Sequence, residues 1–154
     1  MEKWLYDNIL KIAIVISLPL LLAFCAQKVY GSDENGDRLC LAQNIYFEAG
    51  NQPLAGKIAV ANVTLNRVED LQFPETICDV VYQSKAYYES WTGNKVPVRG
   101  MCQFSWYCDG KSDEPKDSRT WVESIRIADM VLNEKTIDIT DGALWYHADY
   151  VYPY

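Results

Sequence analysis

Apolar positions are spread unevenly along the chain, and the densest block comes first. No charged residue occurs from Ile12 to Gln27, and the run Ile12–Ala26 is nearly all apolar. A spanning helix takes ~18 or more such residues, and the core of a signal peptide takes ~10–14. Counted from Ile9, with Lys11 reaching back to the interface, the run extends to about eighteen residues. Lys3, Lys11 and the amino terminus form a weakly positive flank, diluted by Glu2 and Asp7, and Val29-Tyr30-Gly31 offers a small-residue cleavage site. An acidic, glycine-containing stretch, 31–37, follows at once, which a buried core helix would not tolerate. Residues 1–30 are therefore expected to be a signal peptide or an N-terminal membrane anchor, 31–37 a linker, and 38–154 one folded domain. Without the leader, roughly 125 residues remain, enough for one modest core.

In the body the apolar period is helical. Leu41, Ile45 and Glu48 share one stripe with Ala42, Tyr46 and Ala49 beside it, predicting a helix over 37–49 that Gly50 closes in the left-handed conformation. Pro53 suits the start of a second helix, whose inward face is Leu54, Ile58, Ala61, Leu65 and Val68. Phe73-Pro74 breaks the chain, and Ile77, Val80 and Val81 mark a short third helix. From Ser84 to Glu114 the period fades into a long loop region that carries Trp91, Phe104, Trp106 and Tyr107. Loops of that length usually carry function. Asp117 is placed to cap a last helix with Trp121, Ile125, Ala128 and Leu132 inward. Ile137 and Ile139 then alternate with polar residues, Asp141-Gly142 turns, and Leu144–Tyr146 is extended. The expected class is mainly α (α+β), with small β elements and a long aromatic loop.

The formal net charge of −7 argues against a nucleic-acid partner, which would need clustered Lys and Arg to displace counterions. Of five cysteines, Cys25 lies in the leader, behind a Phe24 too bulky for a lipid-attachment site. Cys40, Cys78, Cys102 and Cys108 remain, an even number that suits disulfides outside the cytosol and allows three pairings. At least one bridge is expected. A Cys102–Cys108 bridge would rigidify residues 103–107.

Glu48 carries the strongest chemical signal. It continues an apolar stripe, which favours its neutral form, and it lies at the negative end of its helix, which disfavours a carboxylate. Both effects raise the pKa, as a general acid near neutrality requires. The same pattern also describes a boundary glutamate whose head reaches water. His147 is the only histidine, which argues against zinc hydrolases with two or more His ligands, and no metal or cofactor is implied. It could pair with a cysteine thiol and be oriented by Asp149, or simply end a strand. Gln103 and Ser105, on either side of Phe104, suit sugar hydroxyls and N-acetyl amides, or are ordinary loop polarity. Aromatic rings of the loop would stack on sugars where exposed and pack where buried.

These residues stand in a pattern that resembles the spore-cortex-lytic (SleB) family of cell-wall hydrolases. The pattern runs through Leu39-Cys40-Leu41-Ala42, Ile45-Tyr46-Phe47-Glu48-Ala49, Gly56-Lys57-Ile58-Ala59-Val60-Ala61 and Leu65-Asn66-Arg67-Val68. It continues with Phe73-Pro74-Glu75-Thr76-Ile77-Cys78, Cys102-Gln103-Phe104-Ser105, Cys108-Asp109-Gly110, Gly142-Ala143 and Tyr146-His147-Ala148. The resemblance implies a fold similar to lysozyme and the lytic transglycosylases, with Glu48 at the place of the single catalytic acid. It implies that Gln103, Phe104 and Ser105 line a glycan cleft, with Tyr146 and His147 at its edge. The family pattern runs on past a Pro-x-Trp element where this chain reads Val151-Tyr152-Pro153-Tyr154, so the cleft wall near Tyr146 is where a departure is expected.

The function expected is cleavage of peptidoglycan glycan strands at the MurNAc–GlcNAc bond by an exported or membrane-anchored enzyme. Two other functions fit the residues: a thiol peptidase or amidase on stem peptides, and a wall-binding protein without turnover. Among the remaining carboxylates none repeats the apolar setting of Glu48, and Asp109 is the fallback for a second one. A single acid suffices if the muramic C6 hydroxyl attacks its own C1, which favours a lytic transglycosylase over a muramidase.

Overall fold

In the computed structural model the described residues are 34–147, all within the second of two units, Ser32–Tyr154. The expected leader and residues 31–33 of the linker lie outside them, as do Ala148–Tyr154, whereas residues 34–37 of the expected linker are described and form the start of the first helix. The elements are α1 (Glu34–Ala49), α2 (Leu54–Glu69), α3 (Ile77–Val81), β1 (Ser84–Tyr88), β2 (Lys95–Cys102), a 3-10 turn (Ser105–Cys108) and α4 (Ser118–Leu132). The fold is mainly α with one small antiparallel sheet, as expected. No helix among the described residues is long and apolar enough to cross a membrane.

The core gathers one face of each helix. Leu41, Ala42 and Ile45 of α1, Ala61 of α2, Val80 and Val81 of α3, and Ile127 and Ala128 of α4 meet Phe104 and Trp106. Thus two rings of the expected loop, Phe104 and Trp106, are core, whereas Trp91 stands clear, 92% exposed. A polar strut runs through this core. Trp106 Nε1 donates to Asn44 Oδ1 at 3.1 Å, and Asn44 Nδ2 donates to Thr64 Oγ1 at 3.1 Å. Burying these groups unpaired would be costly, so the strut fixes the 3-10 turn against α1 and α2.

Several local expectations change. Gly50 does not take a left-handed φ; a Cβ there would stand 2.5 Å from the Tyr46 carbonyl oxygen, so close approach is what requires glycine. In α4 the buried face is Ser124, Ile127, Ala128 and Val131, one position round from the expected stripe. Ser124 can face inward because its Oγ donates to Thr120 O at 2.9 Å. Trp121, Ile125 and Leu132 pack only partly against the core. In α2, Leu54 is exposed, while Lys57 is buried with Nζ 2.8 Å from Glu123 Oε2 of α4. Asp117 does cap α4, accepting from Thr120 N at 2.7 Å.

The β structure lies elsewhere than expected. Residues 84–102 form a hairpin inside the long loop region, with Tyr87 opposite Val96 and Tyr88 opposite Lys95. Ile137 and Ile139 form no strand and are exposed. Their segment is held instead by polar side chains of α2. Asn62 Nδ2 donates to Asp138 Oδ1 at 3.0 Å, Asn66 Nδ2 to Ala143 O at 3.1 Å, and Arg67 Nε to Leu144 O at 2.8 Å. The turn at Asp141-Gly142 forms with positive φ at both residues, 53° and 74°.

All four body cysteines are bridged, Cys40 to Cys78 and Cys102 to Cys108. The first ties α1 to α3 across 38 residues of sequence. In the chain-entropy model a loop of that size contributes about 4 kcal/mol, and the short second loop about 2 kcal/mol. The short bridge therefore does more for the position of residues 103–107 than for overall stability.

Candidate active site

Glu48 occupies the last turn of α1, half-buried, with no basic residue in that turn to offset the helix dipole. Two groups from distant parts of the chain converge on it. Tyr146 Oη donates to Glu48 Oε2 at 3.0 Å. Arg67 of α2, only 3% exposed, sets its guanidinium 5.0 Å from the centre of the Phe104 ring and 5.4 Å from that of Phe73. Because Arg67 also holds Leu144 O, the two-residue step from Leu144 to Tyr146 starts from a fixed point.

The surroundings of Glu48 act on its charge in opposite directions. Burial pushes the Glu48 carboxyl above the ordinary glutamate value, while the Tyr146 hydrogen bond and the Arg67 charge pull it partway back. Burial also drives the Tyr146 hydroxyl well above the ordinary tyrosine value, with the Glu48 charge adding to it, so Tyr146 stays a neutral donor. Asp109, the fallback carboxylate, is held low by the backbone and ammonium of Lys111 and is a solvated anion.

A groove of about 650 Å³ opens beside Glu48, lined by Tyr46, Phe47, Asn51, Gln52, Asp117 and Arg119 among others. Its two walls are fastened together at Tyr46, whose hydroxyl accepts from Lys116 N at 3.1 Å and Asp117 N at 3.0 Å. Phe47 stacks on Trp106 at 4.7 Å, so the groove floor rests on the core.

Of the residues singled out in the sequence, Glu48 and Tyr146 are in direct contact. Phe104 is 2% exposed beneath Arg67 and supports the wall from behind. Gln103 and Ser105, its neighbours, are exposed, and Gln103 N is anchored to Gln83 O at 2.8 Å. His147 is exposed and adjoins Tyr146 in the chain. No cysteine of the body offers it a thiol, since all four are bridged. Arg67 was not foreseen as part of the site. Its only sequence signal is that it is one of two cations, with Lys57, in this helix.

A model of the cell wall hydrolase family matches residues 51–154, beginning three positions after Glu48. Among curated relatives, the spore cortex-lytic enzyme of Bacillus subtilis is 36% identical over 62 residues, 40% of this chain and 20% of that protein. That of Oceanobacillus iheyensis is 37% identical over 57 residues, 37% of this chain and 20% of the relative. That of Halalkalibacterium halodurans is 34% identical over 62 residues, 40% of this chain and 19% of the relative. Each match thus spans about a fifth of the relative's length. No solved structure matches. The chain belongs to the cell wall hydrolase family.

Proposed function

We propose that this protein cleaves peptidoglycan glycan strands between MurNAc and GlcNAc, with Glu48 as its single acid and base. The observation that carries this reading is the half-buried Glu48, held by Tyr146 and faced by Arg67 at the edge of a groove. Family membership and relatives named spore cortex-lytic enzymes support the substrate class. With Oε2 accepting from Tyr146, the acidic proton falls to Oε1, which protonates the departing glycosidic oxygen. The resulting carboxylate takes the proton of the muramic C6 hydroxyl as that oxygen bonds to C1 of its own ring, giving a 1,6-anhydro end. Water in place of the hydroxyl gives hydrolysis. In this reading Gln103 and Ser105 hold N-acetyl groups and Tyr146 and His147 stand at the edge of the bound glycan, outside the lining of the groove beside Glu48. Disulfides among the body cysteines count against a thiol peptidase.

The reading is tested on insoluble peptidoglycan carrying a covalent dye. Soluble dye fragments should appear without any rise in free amino groups. Amine release at the same rate would place the cut in stem peptides, and binding without release would leave a wall-binding protein. The site of action is proposed to be outside the cytoplasmic membrane, with residues 9–26 as signal or anchor, supported by the apolar run and the two disulfides. A reporter active only in the periplasm, fused after Asp37, should be active; recovery of the full chain in the cytosol would contradict export.

A further inference from the structure

The hairpin β1–β2 does nothing for the core that its exposed side chains require. Trp91 is 92% exposed, Tyr88 75% and Tyr87 56%, in a domain that buries Phe104 and Trp106 almost completely. Large rings left in water forgo the stabilisation that burial brings, so a cluster of them marks a contact surface. The turn that presents Trp91 is also ordered. Glu89 N donates to Asn94 O at 2.9 Å, Gly93 N to Glu89 O at 2.8 Å, and Thr92 Oγ1 to Glu89 Oε2 at 2.8 Å. Gly93 supplies the positive φ of 71° that closes it.

The hairpin also differs in charge from the rest of the molecule. Lys85, Lys95 and Arg99 face a single carboxylate, Glu89, in a chain of net charge −7. Tyr88 lies directly across from Lys95, and residues so paired share a face, which puts a ring and a cation side by side. At its base the hairpin is continuous with the candidate site. Strand β2 runs straight into Gln103, whose backbone is anchored to Gln83, and the Cys102–Cys108 bridge closes that end.

We propose that this hairpin is a second, non-catalytic grip on peptidoglycan, Tyr88 and Trp91 stacking on sugar rings and Lys85, Lys95 and Arg99 meeting stem-peptide carboxylates. The proposal rests on the glycan-strand reading above. Around Trp91 the turn is Glu89, Ser90, Thr92, Gly93 and Asn94, a polar setting that suits sugar hydroxyls and not an acyl-chain interior.

The test is co-sedimentation of the full chain, carrying Glu48→Gln to stop turnover, with purified insoluble peptidoglycan and separately with phosphatidylglycerol vesicles. Trp91→Ala and Tyr88→Ala should each weaken sedimentation with peptidoglycan by roughly three- to tenfold. Trp91→Phe should restore most of it, and Lys85→Gln with Lys95→Gln should flatten its salt dependence. Binding unchanged in the Trp91→Ala and Tyr88→Ala variants, or no binding by the parent, overturns the proposal. So does a loss confined to the vesicles, which would assign the hairpin to a membrane surface. The protein with Glu48 intact is run on the same peptidoglycan. If it releases no fragments, the glycan-cleavage reading fails, whatever the sedimentation shows.

Discussion

Glu48→Gln is expected to lower release of glycan fragments by at least about 10²–10⁴-fold, the range that a positioned general acid contributes. Glutamine keeps the shape of the side chain and can still accept from Tyr146 Oη, which now bonds Oε2 at 3.0 Å, but it has no proton to give. The same substitution should leave the fold intact and make it more stable at neutral pH. Burial raises the Glu48 pKa above that of the unfolded chain. Below the ordinary glutamate value both states hold the proton and the substitution is neutral. As pH rises, the unfolded chain ionises first, and the folded state loses stability relative to a variant that carries no charge. Melting curves of the two proteins should therefore coincide in acid and separate above the carboxylate range, with Glu48→Gln the higher. A variant that melts lower at neutral pH would show that the carboxylate is structural.

Arg67→Met should have the next largest effect, on stability and on pH dependence together. The side chain gives up a hydrogen bond to Leu144 O and two ring contacts, with Phe73 and Phe104. A charge-assisted hydrogen bond of about 1.5–3 kcal/mol and desolvated cation–π contacts make a loss of roughly 3 kcal/mol the expected scale. Because Arg67 pulls the Glu48 pKa down, its removal should move the alkaline limb of the activity profile to higher pH. Arg67→Lys restores the charge but not the planar group between two rings, so it should recover the pH profile better than the stability. An unshifted profile in Arg67→Met, with stability lost, would reduce Arg67 to a packing residue.

How much of this could be read from the sequence depends on how local each signal is. The helix carrying Glu48 was legible because Leu41 and Ile45 set a stripe that Glu48 prolongs, and α3 because Ile77, Val80 and Val81 follow a break at Pro74. Asp117 was legible as a cap from its position alone. The hairpin was not, since Pro97 and Gly100 interrupt β2 and neither strand alternates cleanly between buried and exposed. Ile137 and Ile139 misled for the opposite reason. They alternate, but the backbone there is satisfied by Asn62, Asn66 and Arg67 rather than by a partner strand. Arg67 illustrates the limit most clearly: an arginine in a helix reads as a solvated charge until Phe73, Phe104 and Leu144 are known to enclose it. The contact between Tyr146 and Glu48 joins residues 98 positions apart and leaves no local trace.

Mass spectrometry of the fragments released from purified peptidoglycan, by the protein and by Glu48→Gln in parallel, tests the central claim most directly. Glycan fragments ending in 1,6-anhydro-muramic acid are expected from the protein, with reducing ends as the minor product and almost nothing from Glu48→Gln. Only reducing-end muramic acid would contradict the transglycosylase outcome, and undiminished release by Glu48→Gln would contradict the assignment of the site.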